Sequence, residues 1–191
     1  DVGIIVETIG GLNPAYDYTK RALLKGKSVV TSNKELVATY GDELLKIAYE
    51  NGCSYLFEAS VGGGIPIIRP LNQCLAANNI SAVAGILNGT TNYILTEMIK
   101  SGQSFENALK NAQKLGYAEQ NPSADVEGYD ACRKICILAS LATGKKIESD
   151  KVHTEGITKV SLRDVEYAAK LGYVIKLIGM SKINSDGTAY V

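Results

Sequence analysis

The chain has 191 residues, 46% of them hydrophobic and 21% charged, with twenty basic and twenty acidic side chains in balance. Such a chain buries a sizeable core in one or two globular domains, and its cancelled charge, without long blocks of one sign, excludes a nucleic-acid surface or an anionic membrane as partner. No apolar run reaches the roughly 20 residues of a membrane span, and the opening DVGIIVETIGG lacks the basic leader of a signal peptide, so a cytosolic protein with a small, near-neutral ligand is expected.

In chain order, VGIIV (2–6) is a short apolar run that predicts a parallel strand buried on both faces. Asn13 and Pro14 read as the N-cap and first-turn proline of a helix that Gly26 ends. SVVT (28–31) predicts a second strand, residues 33–52 a helix broken at Gly41, and YLFEA (55–59) a third strand. This alternation predicts part of a doubly wound, Rossmann-like parallel sheet with right-handed crossovers. After SVGGGIP the pattern becomes α+β. IIRPLNQCLAAN reads as a helix bent or delayed by Pro70, and residues 80–89 as a strand. NYILTEMIKSG, closed by Gly102, and residues 105–116 read as helices, and an apolar helix runs to about Thr143. A helix over 162–172 precedes two strands, 173–183 and 188–191, across an NSDG turn.

Four cysteines, at 53, 74, 132 and 136, show no CxxC spacing, and the single histidine, His153, makes no zinc-like cluster with them. They read as reduced, mostly buried thiols.

Three stretches carry candidate chemistry. In GYAEQNPSADVEGYDACRK (116–134), helical spacing puts Glu127, Asp130 and Lys134 on one face of the apolar helix. A surface salt bridge fits that spacing. Yet a lysine on so apolar a helix must be paired or face a cavity, the setting in which lysine becomes a general acid or base. In TSNK (31–34), Lys34 leaves a strand at the edge where open α/β sheets bind ligands and suits an anionic group, although a solvated loop lysine is the plainer reading. In FEASVGGGIP (57–66), Glu58 and the freed carbonyls of a triglycine could form an oxygen cage for a hard cation, and an interdomain turn is the simpler alternative.

Taken in order, ETIGG, VVTSNKELVA, FEASVGGGIPIIRPL, GILNGTTNYILTEM and LGYAEQNPSADVEGYDACRKICILA resemble homoserine dehydrogenase over essentially the whole chain. The resemblance implies NAD- or NADP-linked interconversion of L-homoserine and L-aspartate 4-semialdehyde by a homodimer, within aspartate-family amino-acid biosynthesis. It implies Lys134 as the proton-transfer group, assisted by Lys34 and Asp130, with Glu119 and Asp130 holding substrate. Thr8, Lys34 and Gly116 match cofactor-contacting positions. Glu58 and the main-chain carbonyls of Val61, Gly63 and Ile65 match a sodium site. Residues 1–61 would then be the end of a dinucleotide-binding domain, and 62–191 an α+β catalytic and dimerisation domain. Asn121 stands where the family usually has aspartate, without touching an assigned role. The family's opening β-α unit, with its GxGxxG turn, has no counterpart before residue 1, so an incomplete nucleotide site and an inactive fragment are expected. Two rivals remain: a non-catalytic amino-acid-binding or dimerisation module, which would bind homoserine without nucleotide, and a cysteine-dependent semialdehyde dehydrogenase, which iodoacetamide would inactivate.

Overall fold

Strands β1 (Ile4–Glu7), β2 (Ser28–Thr31) and β3 (Tyr55–Leu56) form a parallel sheet in the order β1-β2-β3, with Glu7 opposite Thr31 and Val29 opposite Tyr55. They belong to a computed structural model that describes residues 2–186 and 188–191. The chain divides into two units. The first comprises Asp1–Val83, Arg133–Lys151 and Ser181–Val191, the second Ala84–Cys132 and Val152–Met180.

In the first unit, helices α1 (Ala15–Leu24) and α2 (Lys34–Glu50) pack against each other and the sheet. They shield the face that carries Glu7, Val29, Thr31 and Tyr55, all buried. The opposite face is open: Ile4, Val6 and Leu56 are each more than half exposed. The parallel strand was expected to be buried on both faces. In the described chain it is covered on one, because consecutive right-handed crossovers put α1 and α2 on the same side.

Two helix details differ from expectation. Pro14, not Asn13, occupies the cap position of α1, and no side chain caps it; the Tyr16 N–H donates to the Leu12 carbonyl at 2.8 Å instead. Helix α2 runs unbroken through Gly41, which is buried. A mid-helix glycine costs about 0.5–1 kcal/mol against alanine, too little to break a helix whose buried Leu36, Val37, Leu44 and Ala48 hold it on both sides.

β3 also ends earlier than expected, because Glu58–Ser60 turn into a 3-10 helix where the Ser60 hydroxyl donates to the Phe57 carbonyl at 2.6 Å. The helix expected after the triglycine is short. Pro70–Cys74 form a wide turn in which the Leu75 N–H reaches back to the Pro70 carbonyl.

The second unit is mainly helical. In α3 (Gly89–Ser101), Thr91, Ile94, Leu95 and Met98 recur at helical spacing and are buried, and the helix ends at Gly102 with φ 61°. Helix α4 (Phe105–Lys114) adds Ala108 and Ala112 to the same core, the short α5 (Ser123–Val126) adds Val126, and two loop residues, Ala118 and Ile157, join it. Helix α7 (Leu162–Lys170) starts at a capping box between Ser161 and Asp164. Helix α6 (Tyr129–Thr143) begins in the second unit and continues in the first. Its Ala131, Cys132 and the run from Ile135 to Ala139 are buried, as the apolar sequence predicts.

Strands β4 (Ala82–Gly85), β5 (Gly179–Ile183) and β6 (Ala189–Tyr190) form a second sheet in that order, with β5 and β6 antiparallel. β4 is shorter than expected from residues 80–89, and β5 starts later than residue 173. Ile175 and Leu177 of the preceding segment are partly buried and pack on the helical core. Lys176 donates to Asn92 and Thr96 of α3 at 2.7 and 3.0 Å. The NSDG turn includes Gly187, which lies outside the described residues.

Candidate active site

Glu7 ends β1 with its carboxylate inside the protein, 4% exposed. One oxygen accepts the N–H groups of Ile9 (2.7 Å) and Gly10 (3.3 Å), and the other accepts the Thr31 hydroxyl at 2.5 Å. Thr31 Oγ1 in turn accepts the Asn33 N–H at 2.9 Å. Asn33 then ties the two loops together: its Nδ2 donates to the Gly11 carbonyl at 2.6 Å while its Oδ1 caps α2 through the Leu36 N–H at 3.0 Å. A buried carboxylate tolerates this position because it is fully engaged by donors. It also adds to the desolvation of buried Tyr55, and the two push that phenol well above its usual range.

The network shapes a cleft of about 220 Å³ at the C-terminal ends of β1 and β2, lined by Thr8, Gly10, Gly11, Ser32, Asn33, Lys34, Glu35 and Arg133. Gly10 and Gly11 take φ of 82° and 66°, which non-glycine residues rarely adopt, so the loop after β1 turns with no side chain in its path. Lys34 is the first residue of α2, a place where a cation opposes the helix dipole and an anion is favoured. An anionic ligand reconciles the two. Arg133 reaches Glu35 at 3.6 Å in a half-exposed pair. Thr8 and Lys34 are thus brought together as the sequence predicts, whereas Glu7, Asn33 and Arg133 went unassigned. Polar loops, a helix N-terminus and a lysine fit a dinucleotide's charged and amide groups.

Glu58, also in this unit, accepts the N–H groups of Ile67 (2.6 Å), Ile68 (2.8 Å) and Arg69 (2.7 Å). Burial pushes its pKa up, but these three donors and the Arg69 charge outweigh burial and hold it below the usual glutamate value. Its stabilising contribution is therefore present above the unfolded-state pKa and is lost as pH falls through the lower folded value. Glu58→Gln is expected to flatten the acid limb of the melting-temperature profile between pH 7 and about 3; parallel profiles for variant and wild type would refute this. The loop it faces is tightly folded, since a Cβ on Gly62 would lie 2.2 Å from the Ile65 carbonyl oxygen. Val61 is buried, while Gly63 and Ile65 are exposed. Among the described residues no group of three or more His, Cys, Asp or Glu could hold a metal ion, so a cation here would rest on one carboxylate and carbonyls.

In the second unit Asp130 is 1% exposed, and its Oδ2 accepts from Asn88 Nδ2 at 2.9 Å. The same nitrogen donates to Asp125 Oδ1 at 2.6 Å. Asp130 and Lys134 stand one turn apart on α6, as expected. Glu127 does not join them: Gly128, at φ 87°, separates α5 from α6 and leaves Glu127 exposed before the break. Gly116 and Glu119 occupy the exposed loop after α4. That loop is held by Thr90, which donates to the Tyr117 carbonyl at 2.7 Å, and by Gln113, which donates to the Glu119 carbonyl at 3.1 Å. Lys134 is half-buried. Among the cysteines, Cys132 and Cys136 are buried, Cys53 is half-buried and Cys74 is exposed, so burial is less general than expected. His153 lies far from the four cysteines in sequence and approaches Glu155 at 4.0 Å on the surface.

A polar cleft at the carboxyl edge of a parallel sheet, beside a helix N-terminus, defines a protein of the doubly wound, nucleotide-binding class. Comparison with known proteins narrows the class. The family model described as homoserine dehydrogenase matches residues 66–190, and that of the homoserine dehydrogenase NAD-binding domain matches residues 1–58. A homoserine dehydrogenase of Synechocystis is 50% identical over 99% of this chain and 43% of its own length. The crystal structure of a homoserine dehydrogenase from Thiobacillus denitrificans superposes with a TM-score of 0.91 at 48% identity, over 95% of this chain and 42% of the other. A hyperthermophilic archaeal homoserine dehydrogenase in complex with NADPH gives 0.81 at 33% identity, over 94% and 52%. The chain belongs to the homoserine dehydrogenase family, and it spans about four-tenths of the curated relative it matches.

Proposed function

We propose that the chain carries the substrate-facing and part of the cofactor-facing machinery of an NAD- or NADP-dependent enzyme that interconverts L-homoserine and L-aspartate 4-semialdehyde. The observation that carries this reading is the cleft at the ends of β1 and β2, where Thr8 and Lys34 meet over a helix N-terminus. The family match and the NADPH-bound relative support it. Bound there, the dinucleotide supplies the hydride acceptor or donor. The protein's own residues do the rest. Thr8, Gly116 and Lys34 are assigned to the cofactor, with Lys34 also assigned a part in the reaction. Glu119 and Asp130 hold the substrate, whose ammonium and hydroxyl suit carboxylates. Lys134 takes the hydroxyl proton in the oxidative direction and returns it in the reductive one.

Glu58 and the carbonyls of Val61, Gly63 and Ile65 are assigned to a structural sodium ion, a role that the tight 61–65 loop supports. Residues 1–61 are assigned to the dinucleotide domain and 62–191 to catalysis and homodimer formation, within aspartate-family amino-acid biosynthesis in the cytoplasm. No helix among the described residues is long and apolar enough to cross a membrane.

The test is an assay of a family-length form of the protein with L-homoserine and either nucleotide, following the absorbance of the reduced cofactor. Nucleotide-dependent oxidation of homoserine is expected. Homoserine binding that is indifferent to nucleotide, without turnover, would replace the enzyme by a binding module.

A further inference from the structure

Asn88 does more than its place at the start of α3 requires. Its side-chain oxygen accepts the N–H and the hydroxyl of Thr91, at 2.8 and 3.0 Å, which is what a helix N-cap does. Its NH₂ group has no part in capping. It is directed at two acids, Asp125 Oδ1 at 2.6 Å and Asp130 Oδ2 at 2.9 Å, on a residue only 6% exposed. The acids arrive from α5 and α6, 37 and 42 residues further along the chain. Hydrogen bonds to carboxylates are strong and orienting, and one nitrogen here orients two of them.

We propose that Asn88 is a positioning residue: one amide fixes both carboxylates at the start of α6, so that Asp130 meets the substrate already oriented. The inference rests on the reading of Asp130 as a substrate-holding group. Its chemistry separates cleanly from capping, because serine, aspartate and asparagine cap helices about equally well, and only asparagine among them supplies the NH₂.

The experiment compares Asn88→Ser, Asn88→Asp and Asp130→Asn in a family-length form of the enzyme, with L-homoserine and NADP as probes. Both Asn88 variants keep a capping oxygen, so α3 is expected to start as in wild type and Asn88→Ser to remain folded. Their kcat/KM for homoserine is expected to fall roughly ten- to a hundredfold, while KM for the nucleotide stays put. Asn88→Asp falls further, since a third carboxylate oxygen replaces the donor. If Asn88→Ser stays within about twofold of wild type while Asp130→Asn is impaired, Asn88 is a helix cap and nothing else. If Asp130→Asn is itself unimpaired, the functional reading fails and takes this inference with it. Should crowding of three carboxylates unfold Asn88→Asp, the serine variant decides alone.

Discussion

In a family-length form of the protein, Lys134→Ala is expected to lower kcat for homoserine oxidation by about 10²–10⁴-fold while nucleotide binding stays near wild type, because general acid-base catalysis contributes on that order and the substitution leaves the proposed cofactor cleft untouched. Lys134 is half-buried on α6, one turn beyond the buried Asp130. Alanine removes the only proposed group that exchanges the hydroxyl proton. Lys134→Arg separates charge from proton transfer, since a guanidinium keeps the charge but does not deprotonate in proteins. Arginine is therefore expected to leave turnover nearly as low as alanine does. Steady-state kinetics from neutral to mildly alkaline pH measure this. Near-normal turnover in Lys134→Ala would return the residue to a structural ion pair, and recovery in Lys134→Arg would make charge, not proton exchange, its contribution.

The second large effect is structural. Gly156→Ala is expected to destabilise the protein by about 3 kcal/mol or more, a fall in melting temperature of about 10 °C for a chain of this size. A Cβ there would lie 2.2 Å from the Val126 carbonyl oxygen and 2.5 Å from Glu127 Cα, so the clash is with backbone that no rotamer change can relieve. To admit the methyl group, the loop must leave the α5–α6 junction and lose the Ile157 N–H bond to the Val126 carbonyl, now 2.7 Å. Gly128 lies in the same crossing, at φ 87° and with a notional Cβ 2.9 Å from the Glu155 carbonyl oxygen. Gly128→Ala should fall in the same direction. Thermal unfolding followed by circular dichroism decides, and an unchanged midpoint for Gly156→Ala would show that the loop yields freely.

The parts of this protein legible in its sequence are those where local pattern and tertiary role agree. Apolar α6, the strands SVVT and VGIIV, and the glycine stop of α3 at Gly102 follow from periodicity and backbone freedom alone. Thr8 and Lys34 were placed at one edge because parallel strands with short connections leave their carboxyl ends on the same side. What escaped is polar and long-range. Glu7 sits at the end of an apolar strand, where a carboxylate normally reaches water; its burial depends on Thr31, its register partner across the sheet, and on two loop N–H groups. Pairing the last residues of β1 and β2 would have exposed that match. Asn88 was read as part of a strand over 80–89 but caps α3, and its acids arrive from far along the chain, where no spacing rule connects them. Arg133 neighbours Lys134 in sequence yet lines the cleft at the ends of β1 and β2. Gly41 misled in the opposite sense, since glycine was read as a breaker where packing on both sides carries the helix through.

The open face of the β1-β2-β3 sheet has a thermodynamic signature of its own. Ile4, Val6 and Leu56 remain 63%, 66% and 56% exposed in the folded chain, so unfolding brings little further apolar surface of theirs into water. Apolar exposure is what raises the heat capacity on unfolding, by about 0.45 cal/K/mol for each Å². The sheet therefore contributes less to that increment than strands covered on both sides. A smaller increment bends the curve of free energy against temperature less sharply. Stability in this part of the molecule changes more gently between cold and warm conditions than in a sheet buried on both faces, and its cold limb is correspondingly shallow.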